Sequence, residues 1–520
     1  MAKSEGSLRS TPIQTIAEIP RRYAASTPDA IALSFEGRET SYRALDELSN
    51  QVANGLVATG VRPASRIAIL DRNSDIFFQV LLGAAKVRAV LVPINARLAP
   101  PEIAFAVNDA QTEILFVGEA FEKIIAEIQD QLDTIRQIIV LDSRYLNWRD
   151  AQPLSEPGLP VSADDVCLQL YTSGTTGYPK GVQLSHANFP LQPLDDWKAW
   201  SSDDVMLLAM PLFHIAGVGT GVFGLVAGLK TIVLREFVPS VVLETIERDR
   251  IMTTFLVPAM VLAMLAERDV EKFDLSSLRQ ILYGASPIPL ELLRKSLRVF
   301  RHTGFFQVYG LTETTGVITV LGDADHSAGE DELLRSCGRA IEGVELRIVD
   351  ASGKSLPARQ VGEVVCRTSQ NMRGYWNRTD DTARTLRNGW LHTGDAGFLD
   401  ENGYLYIHDR LKDMIVSGGE NVYPAEIESA LYGHADIADV AVIGVPDDRW
   451  GEAVKALIVL KPDRSPDPAG ILHFARERLA GFKIPKSIDF LNELPRNPSG
   501  KILKRLLRER YWEGYERRVN

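Results

Sequence analysis

Cysteine is scarce in this chain: three in 520 residues, Cys167, Cys337 and Cys366, far apart and with no C-x-x-C pair. That excludes a disulfide framework and a cysteine-built zinc site, and it suits a reducing cytoplasm. Positive charge is also short, 57 basic against 68 acidic residues for a net charge of −11, which argues against a general nucleic-acid binder while leaving room for local basic patches. The first twenty residues, MAKSEGSLRSTPIQTIAEIP, lack the apolar core of a secretory leader. Long uncharged segments are absent except at residues 206–229, which hold no Asp, Glu, Lys or Arg. About 20 residues are enough for a membrane span. Pro211, His214 and the glycines 217, 219, 221, 224 and 228 interrupt this one, and a buried strand followed by a helix is expected instead. No internal repeat or low-complexity tract is visible.

What is present is the composition of a folded protein, 45% hydrophobic and 24% charged, in a chain too long for one core. Thr40-Ser41 ahead of Leu45, Leu48, Val52 and Leu56 has helical spacing, with Gly60 placed as a C-terminal cap. Residues 66–70, 89–93 and 113–117 read as strands, separated by helices that start at Asn73-Ser74 and at Pro100-Pro101-Glu102. This β-α-β-α-β order predicts a largely parallel sheet covered by helices. From Val344 the pattern changes to short alternating strands and predicts a small β subdomain. After the charged pentapeptide Asp409-Arg410-Leu411-Lys412-Asp413, enough chain remains for a further small domain.

The stretch YTSGTTGYPKG, residues 171–181, combines glycines, hydroxyls and a lysine, the chemistry of a loop that holds a polyanion. Its spacing is not that of the G-x-x-x-x-G-K-[ST] loop, and both flanks look extended, so strand, loop, strand is expected. An ordinary Gly/Thr/Ser surface loop has the same composition. Four further clusters carry chemistry. In YGLTE, Glu313 beside Thr312 and Thr314 can ligate a hard cation such as Mg²⁺. In HTGD, Asp395 follows a glycine turn and can accept from two vicinal hydroxyls. The third is the charged pentapeptide, and the fourth is PRNPSGK, where Ser499 can cap a helix and present Lys501. Read singly, each has a plain structural alternative: a surface carboxylate, a turn, a solvated charge run, an exposed lysine.

Taken in order, these clusters resemble the motifs of the AMP-forming adenylate ligases, the superfamily of acyl-CoA synthetases, luciferases and peptide-synthetase adenylation domains, over nearly the whole chain. YGASP (residues 283–287) resembles the adenine-contacting segment and MRGYWN (residues 372–377) another signature of the family. Asp409 is a departure, since many relatives carry glycine there. The resemblance implies an α/β multidomain fold: a large N-terminal domain (residues 1–409) of helix-flanked, mostly parallel sheets with a β subdomain at about residues 340–409, and a small mobile α+β C-terminal domain (residues 410–520). It implies ATP, Mg²⁺ and CoA as cofactors. Thr172, Ser173, Gly174, Thr175, Thr176, Gly177 and Lys180 would hold the departing phosphates, Glu313 the Mg²⁺, and Thr312 the α-phosphate. Gly284, Ala285 and Ser286 would face adenine, with Tyr309 and Gly310 beside the adenylate, and Asp395 with Arg410 would hold the ribose. Lys501 would bridge the attacking carboxylate and the phosphoryl oxygens. A swing about Lys412 would then withdraw Lys501 and bring Gly418 and Gly419 to a thiol tunnel.

His214 would gate an acyl pocket lined by residues 213–221 and by the neighbourhood of Tyr283 and Val308. That run carries no charged side chain, so a hydrophobic acid is expected, a medium- or long-chain fatty acid first and an aryl, cinnamate-type or polycyclic acid as the alternative. Its glycines serve helix packing equally well. CoA is the expected acceptor, because GVPDDRWGE (residues 444–452) looks like a segment of CoA ligases. A stand-alone enzyme that loads a carrier protein is the rival reading. The basic tail, with Lys504, Arg505, Arg508 and Arg510, reads as a solvated helix face, with CoA phosphates or a membrane surface as the other readings. Peripheral membrane contact and homodimer formation stay open at this stage.

Overall fold

The computed structural model describes residues 12–172, 179–192, 200, 203–417, 420–447, 449–496 and 502–513. Among these residues the chain forms four sheets with helices packed against them. The first runs in the order Gly374–Tyr375, Lys180–Ser185, Val166–Thr172, Val90–Pro93, Arg66–Leu70, Thr112–Val117, Gln137–Val140. Its last five strands are parallel, and the first two are joined on by antiparallel pairing. Strand and helix alternate as the sequence predicts: Arg66–Leu70, helix Asp75–Lys86, Val90–Pro93, helix Pro100–Asp109, Thr112–Val117. Each helix returns the chain to the end where the next parallel strand must begin. Every residue of Arg66–Leu70 is buried, as a sheet covered on both faces requires. The preceding helix, Tyr42–Ala58, starts where Ser41 accepts from the Ala44 backbone N–H at 3.2 Å.

In the second, nine-stranded sheet, six consecutive strands from Gly304–Tyr309 to Ile31–Phe35 are parallel. The uncharged stretch at residues 206–229 contributes the strand Val205–Leu208 and the helix Ile215–Val226. No helix among the described residues is long and apolar enough to cross a membrane. The third sheet is small and antiparallel, built from Glu345–Val349, Gly362–Arg367, Trp390–Leu399, Leu386–Arg387 and Leu405–Arg410. The fourth lies C-terminal to these and has its own core, in which Ile427, Leu431, Val442, Val454 and Ile471 pack together. A large N-terminal α/β region with a β appendage is thus followed by a small α+β region.

One expectation is overturned. The terminal helix Lys504–Trp512 is not simply a solvated basic face. Lys504 pairs with Glu428 at 2.9 Å and with Asp409 at 3.5 Å, Arg508 pairs with Asp413 at 2.8 Å, and all five side chains are largely buried. Burial of the helix brings these cations to carboxylates that lie far away in sequence. Arg505, which pairs with Glu509, stays exposed.

Candidate functional site

The strands flanking the glycine-rich loop form an antiparallel pair, with Tyr171 opposite Gly181 and Thr172 opposite Lys180. The loop is therefore the tip of a hairpin whose stem is part of the first sheet. Ser173, Gly174, Thr175, Thr176 and Gly177 lie outside the described residues, as do Gly418, Gly419 and Lys501. Below the tip, the Tyr171 hydroxyl donates to Asp109 Oδ2 at 2.7 Å, the Trp376 indole donates to the Asp109 carbonyl at 2.8 Å, and Arg378 reaches Asp109 Oδ1 at 3.1 Å. The Arg66 guanidinium lies 3.2 Å from the centre of the Trp376 ring, and burial brings its pKa down to about 10. These contacts tie the first residue of the glycine-rich motif to the end of the helix Pro100–Asp109.

Lys180 and Glu313 meet on one side chain. The short strand Gly374–Tyr375 pairs with Lys180–Ser185, placing Tyr375 opposite Val182. The Lys180 ammonium sits 5.2 Å from the centre of the Tyr375 ring, while the Tyr375 hydroxyl donates to Glu313 Oε1 at 2.8 Å. Burial and the neighbouring Glu313 carboxylate push the Tyr375 pKa up, which keeps this hydroxyl a donor. Glu313 and Thr312 stand on a single 3₁₀ turn, Thr312–Thr314, after the strand Gly304–Tyr309. The chain folds tightly there: a Cβ on Gly310 would lie 1.5 Å from the Gly316 carbonyl oxygen, so only glycine fits. One bond from Tyr375 does not exhaust a carboxylate's lone pairs, and Glu313 is an apt oxygen ligand for Mg²⁺. No group of three or more His, Cys, Asp or Glu side chains able to hold a metal occurs among the described residues. A cation at Glu313 would depend on phosphate oxygens to complete its shell.

Asp395 is buried and clamped from two sides. Tyr309 donates to its Oδ2 at 2.6 Å, and Arg410 Nε lies 2.7 Å from its Oδ1. Asp395 and Arg410 are cross-strand partners on Trp390–Leu399 and Leu405–Arg410. Burial and the adjacent carboxylate hold the Tyr309 pKa well above its ordinary value. Burial disfavours charge on Arg410, and Asp395 together with Tyr309, Glu313 and Asp413 more than offsets it. The Arg410 side chain also donates to the Thr393 carbonyl at 3.2 Å. Asp409 leaves this clamp alone: it accepts from the Ala425 backbone N–H at 3.0 Å, at the start of the helix Pro424–Tyr432. Lys412 lies in the adjoining 3₁₀ turn, Leu411–Asp413.

The candidate adenine segment follows the strand Gln280–Gly284, where Ala285 takes a left-handed conformation with φ of 65°. A non-glycine residue held there stores about 1 kcal/mol or more of strain, a mark of functional loops. Ser286 is half-buried beside it. Tyr283, at the end of that strand, is buried in the core, with its hydroxyl 2.9 Å from His326 Nε2.

His214 precedes the helix Ile215–Val226, its ring packed on Phe213 with 4.8 Å between centres. Its Nε2 has no hydrogen-bond partner among the described residues. Burial first, then Arg97, lower its pKa to about 4, so the ring is neutral at pH 7. The glycines of this helix divide by role. A Cβ on Gly217, Gly221 or Gly224 would collide with Pro211, Phe78 or Met206, so these three permit packing. At Gly219 a Cβ would meet nothing nearer than Ile215 Cδ1 at 3.7 Å. The half-exposed stripe Ile215, Gly219, Phe223 is apolar with a notch at its middle.

Comparison with known proteins agrees with this geometry. The AMP-binding enzyme family matches residues 20–376, and the AMP-binding enzyme C-terminal domain matches residues 426–501. A fatty acid–[acyl-carrier-protein] ligase, ScoC of Streptomyces coeruleorubidus, is 39% identical, with 98% of both chains covered. A feruloyl-CoA synthase of an Amycolatopsis species is 38% identical over 96% of this chain and 99% of its own. The anthranilate CoA ligase AuaEII, solved with anthranoyl-AMP, superposes with a TM-score of 0.89 at 30% identity, covering 97% of this chain and 99% of its own. The chain belongs to the AMP-binding enzyme family and is an AMP-forming acid–thiol ligase, for which ATP, Mg²⁺ and CoA are the cofactors.

Sequence reasoning had no role for Tyr375, which stood only within a motif, nor for Asp109. An aromatic residue next to a strand glycine is the one local signal at Tyr375. Asp109 has none.

Proposed function

We propose that the protein activates a hydrophobic monocarboxylic acid as its acyl adenylate and passes the acyl group to CoA, with medium- and long-chain fatty acids as the preferred class. One observation carries the reading. Lys180, Tyr375 and Glu313 form one series of contacts and Tyr309, Asp395 and Arg410 another, and the Glu313 charge acts on Arg410 along the line between them, with a cation and a carboxylate at one end and a carboxylate–guanidinium clamp at the other. Such a line suits a nucleoside triphosphate laid along it, with phosphates at Lys180 and ribose at Asp395.

In this reading the acid's carboxylate oxygen attacks the α-phosphorus of ATP, a new P–O bond forms, and the bond to pyrophosphate breaks. Lys180 meets the charge that accumulates on the leaving group, and Thr312 donates to an α-phosphate oxygen. Asp395, its two oxygens fixed by Tyr309 and Arg410, retains lone pairs for the ribose hydroxyls. Mg²⁺ held by Glu313 would supply further positive charge to the phosphates. Lys501 is proposed to bridge the acid and the phosphoryl group. A rotation about Lys412 is proposed to remove it before a thiol attacks the acyl carbonyl and AMP leaves. The neutral His214 ring and the apolar stripe Ile215, Gly219, Phe223 support an acyl group without a second charge.

For the acceptor, Trp450 and Phe482 are exposed on the C-terminal region, with Arg449 and Lys486 lying 4.6 and 5.7 Å from the Trp450 ring centre. Aromatic faces beside cations suit a phosphorylated adenine nucleoside such as the head of CoA. The 39% identity to a carrier-protein ligase favours a second reading, with a carrier's phosphopantetheine as the thiol. Free cysteines accord with a cytoplasmic setting.

The test incubates the purified full chain with ATP, Mg²⁺ and a panel of fatty, cinnamate-type and polycyclic acids, with CoA, a phosphopantetheinylated carrier, or neither. AMP formation that is greatest with C8–C18 acids and CoA, with the acyl-CoA seen by mass, is the expected result. Pyrophosphate release without transfer to CoA, together with acylation of the carrier, would replace the acceptor, and preference for aryl acids would replace the acid.

A further inference from the structure

We propose that Asp381 is a positioning residue for pyrophosphate handling: it fixes the ammonium of Lys180 beside the glycine-rich loop and, through its own charge, loosens the hold of that ammonium on the departing pyrophosphate. The inference rests on the reading of Lys180 as a phosphate ligand.

Lys180 Nζ lies 3.0 Å from Asp381 Oδ2, and the two side chains are only 12% and 13% exposed. Asp381 stands on the helix Thr379–Thr385 and also accepts from Arg384 one turn on. The helix is not free to drift. Its Thr382 hydroxyl accepts from the Tyr375 backbone N–H at 2.9 Å, and the strand Gly374–Tyr375 is paired to the strand that carries Lys180. The Thr382 hydroxyl bond and the strand pairing thus set the separation of carboxylate and ammonium, and the Tyr375 ring closes a third side.

An ammonium has three N–H donors, and Asp381 engages one of them. Two remain for phosphate oxygens, with the stem of the lysine already held. The same carboxylate is a negative charge next to the path of a leaving group that is itself strongly negative. At the effective dielectric of a partly solvated site, one such charge weakens pyrophosphate binding about three- to tenfold. Fast release of pyrophosphate matters to a ligase, since retained pyrophosphate re-forms ATP from the acyl adenylate.

The experiment is calorimetric titration of the full chain with Mg-pyrophosphate. Asp381→Asn, which keeps the shape and removes the charge, is expected to tighten binding about three- to tenfold. Asp381→Glu is expected to stay within about twofold of the parent, and Lys180→Ala to weaken binding about tenfold or more. In the Lys180→Ala background the Asp381→Asn effect should vanish. Arg384→Gln, a change at an exposed side chain, leaves Asp381 with less competition and should weaken pyrophosphate about twofold, so the idea is tested even if Asp381→Asn fails to fold. Unchanged or weaker binding in Asp381→Asn, or no change in Arg384→Gln if Asp381→Asn is unfolded, overturns the inference. If Lys180→Ala binds pyrophosphate as the parent does, the phosphate-ligand reading itself falls.

Discussion

Asp395 and Arg410 face each other across two antiparallel strands, and their side chains meet at 2.7 Å. Tyr309 completes the clamp from a different sheet, so one buried carboxylate links the nine-stranded sheet to the small antiparallel one. Tyr309→Phe removes a hydroxyl that donates to a charge, an interaction of about 1.5–3 kcal/mol. The expected outcome is a KM for ATP raised about tenfold with the KM for the acid little changed. Equal effects on both substrates would argue against a ribose role for Asp395.

The notch at Gly219 predicts control of acyl length. Gly219→Leu should cut kcat/KM for long-chain acids about tenfold or more while leaving that for short acids and the KM for ATP within about twofold. Gly217→Ala is the contrast: its Cβ would lie 2.1 Å from the Pro211 carbonyl oxygen, and the expected result is loss of stability. Urea melts and a chain-length series separate the two outcomes.

Removal of the Lys504 ammonium by Lys504→Met leaves Glu428 and Asp409 buried without their cation, at a cost of about 3 kcal/mol. Chemical denaturation should show the loss, and limited proteolysis should cut faster near Leu411–Asp413. Adding Glu428→Gln should restore part of it.

A pH dependence follows from His186. Its Nδ1 accepts from the Ile16 backbone N–H at 3.3 Å, and burial lowers its pKa to about 4, against a weaker opposing pull from Asp165. A depressed pKa means the stability it contributes is present above the unfolded value near 6.5 and is lost as pH falls toward about 4. Stability should be about 2 kcal/mol lower at pH 5 than at pH 7 from this group, and His186→Gln should flatten that part of the profile in urea melts.

Local signals carried much of this fold. Caps and alternation place the strands and helices of residues 41–117 within a residue or two, because cap chemistry and the spacing of apolar residues act over a few positions. The hairpin flanks of the glycine-rich loop were legible for the same reason. Lys504 and Arg508 were not, since their partners Glu428, Asp409 and Asp413 reach them only through tertiary packing. The glycines of Ile215–Val226 were ambiguous for a different reason. Sequence shows a missing side chain but not what would occupy the space, and Gly217 and Gly219 differ only in that. The pairing of Asp381 with Lys180 joins residues from separate parts of the chain and leaves no trace in either neighbourhood.

Opposite Thr172 in the sheet register, Lys180 is a fixed post rather than a passenger of the loop. Length and composition between those two residues can therefore be altered by design without displacing the cation. A set of grafted tips on this stem would separate what main-chain cradling contributes to the proposed phosphate capture from what a stationary charge contributes.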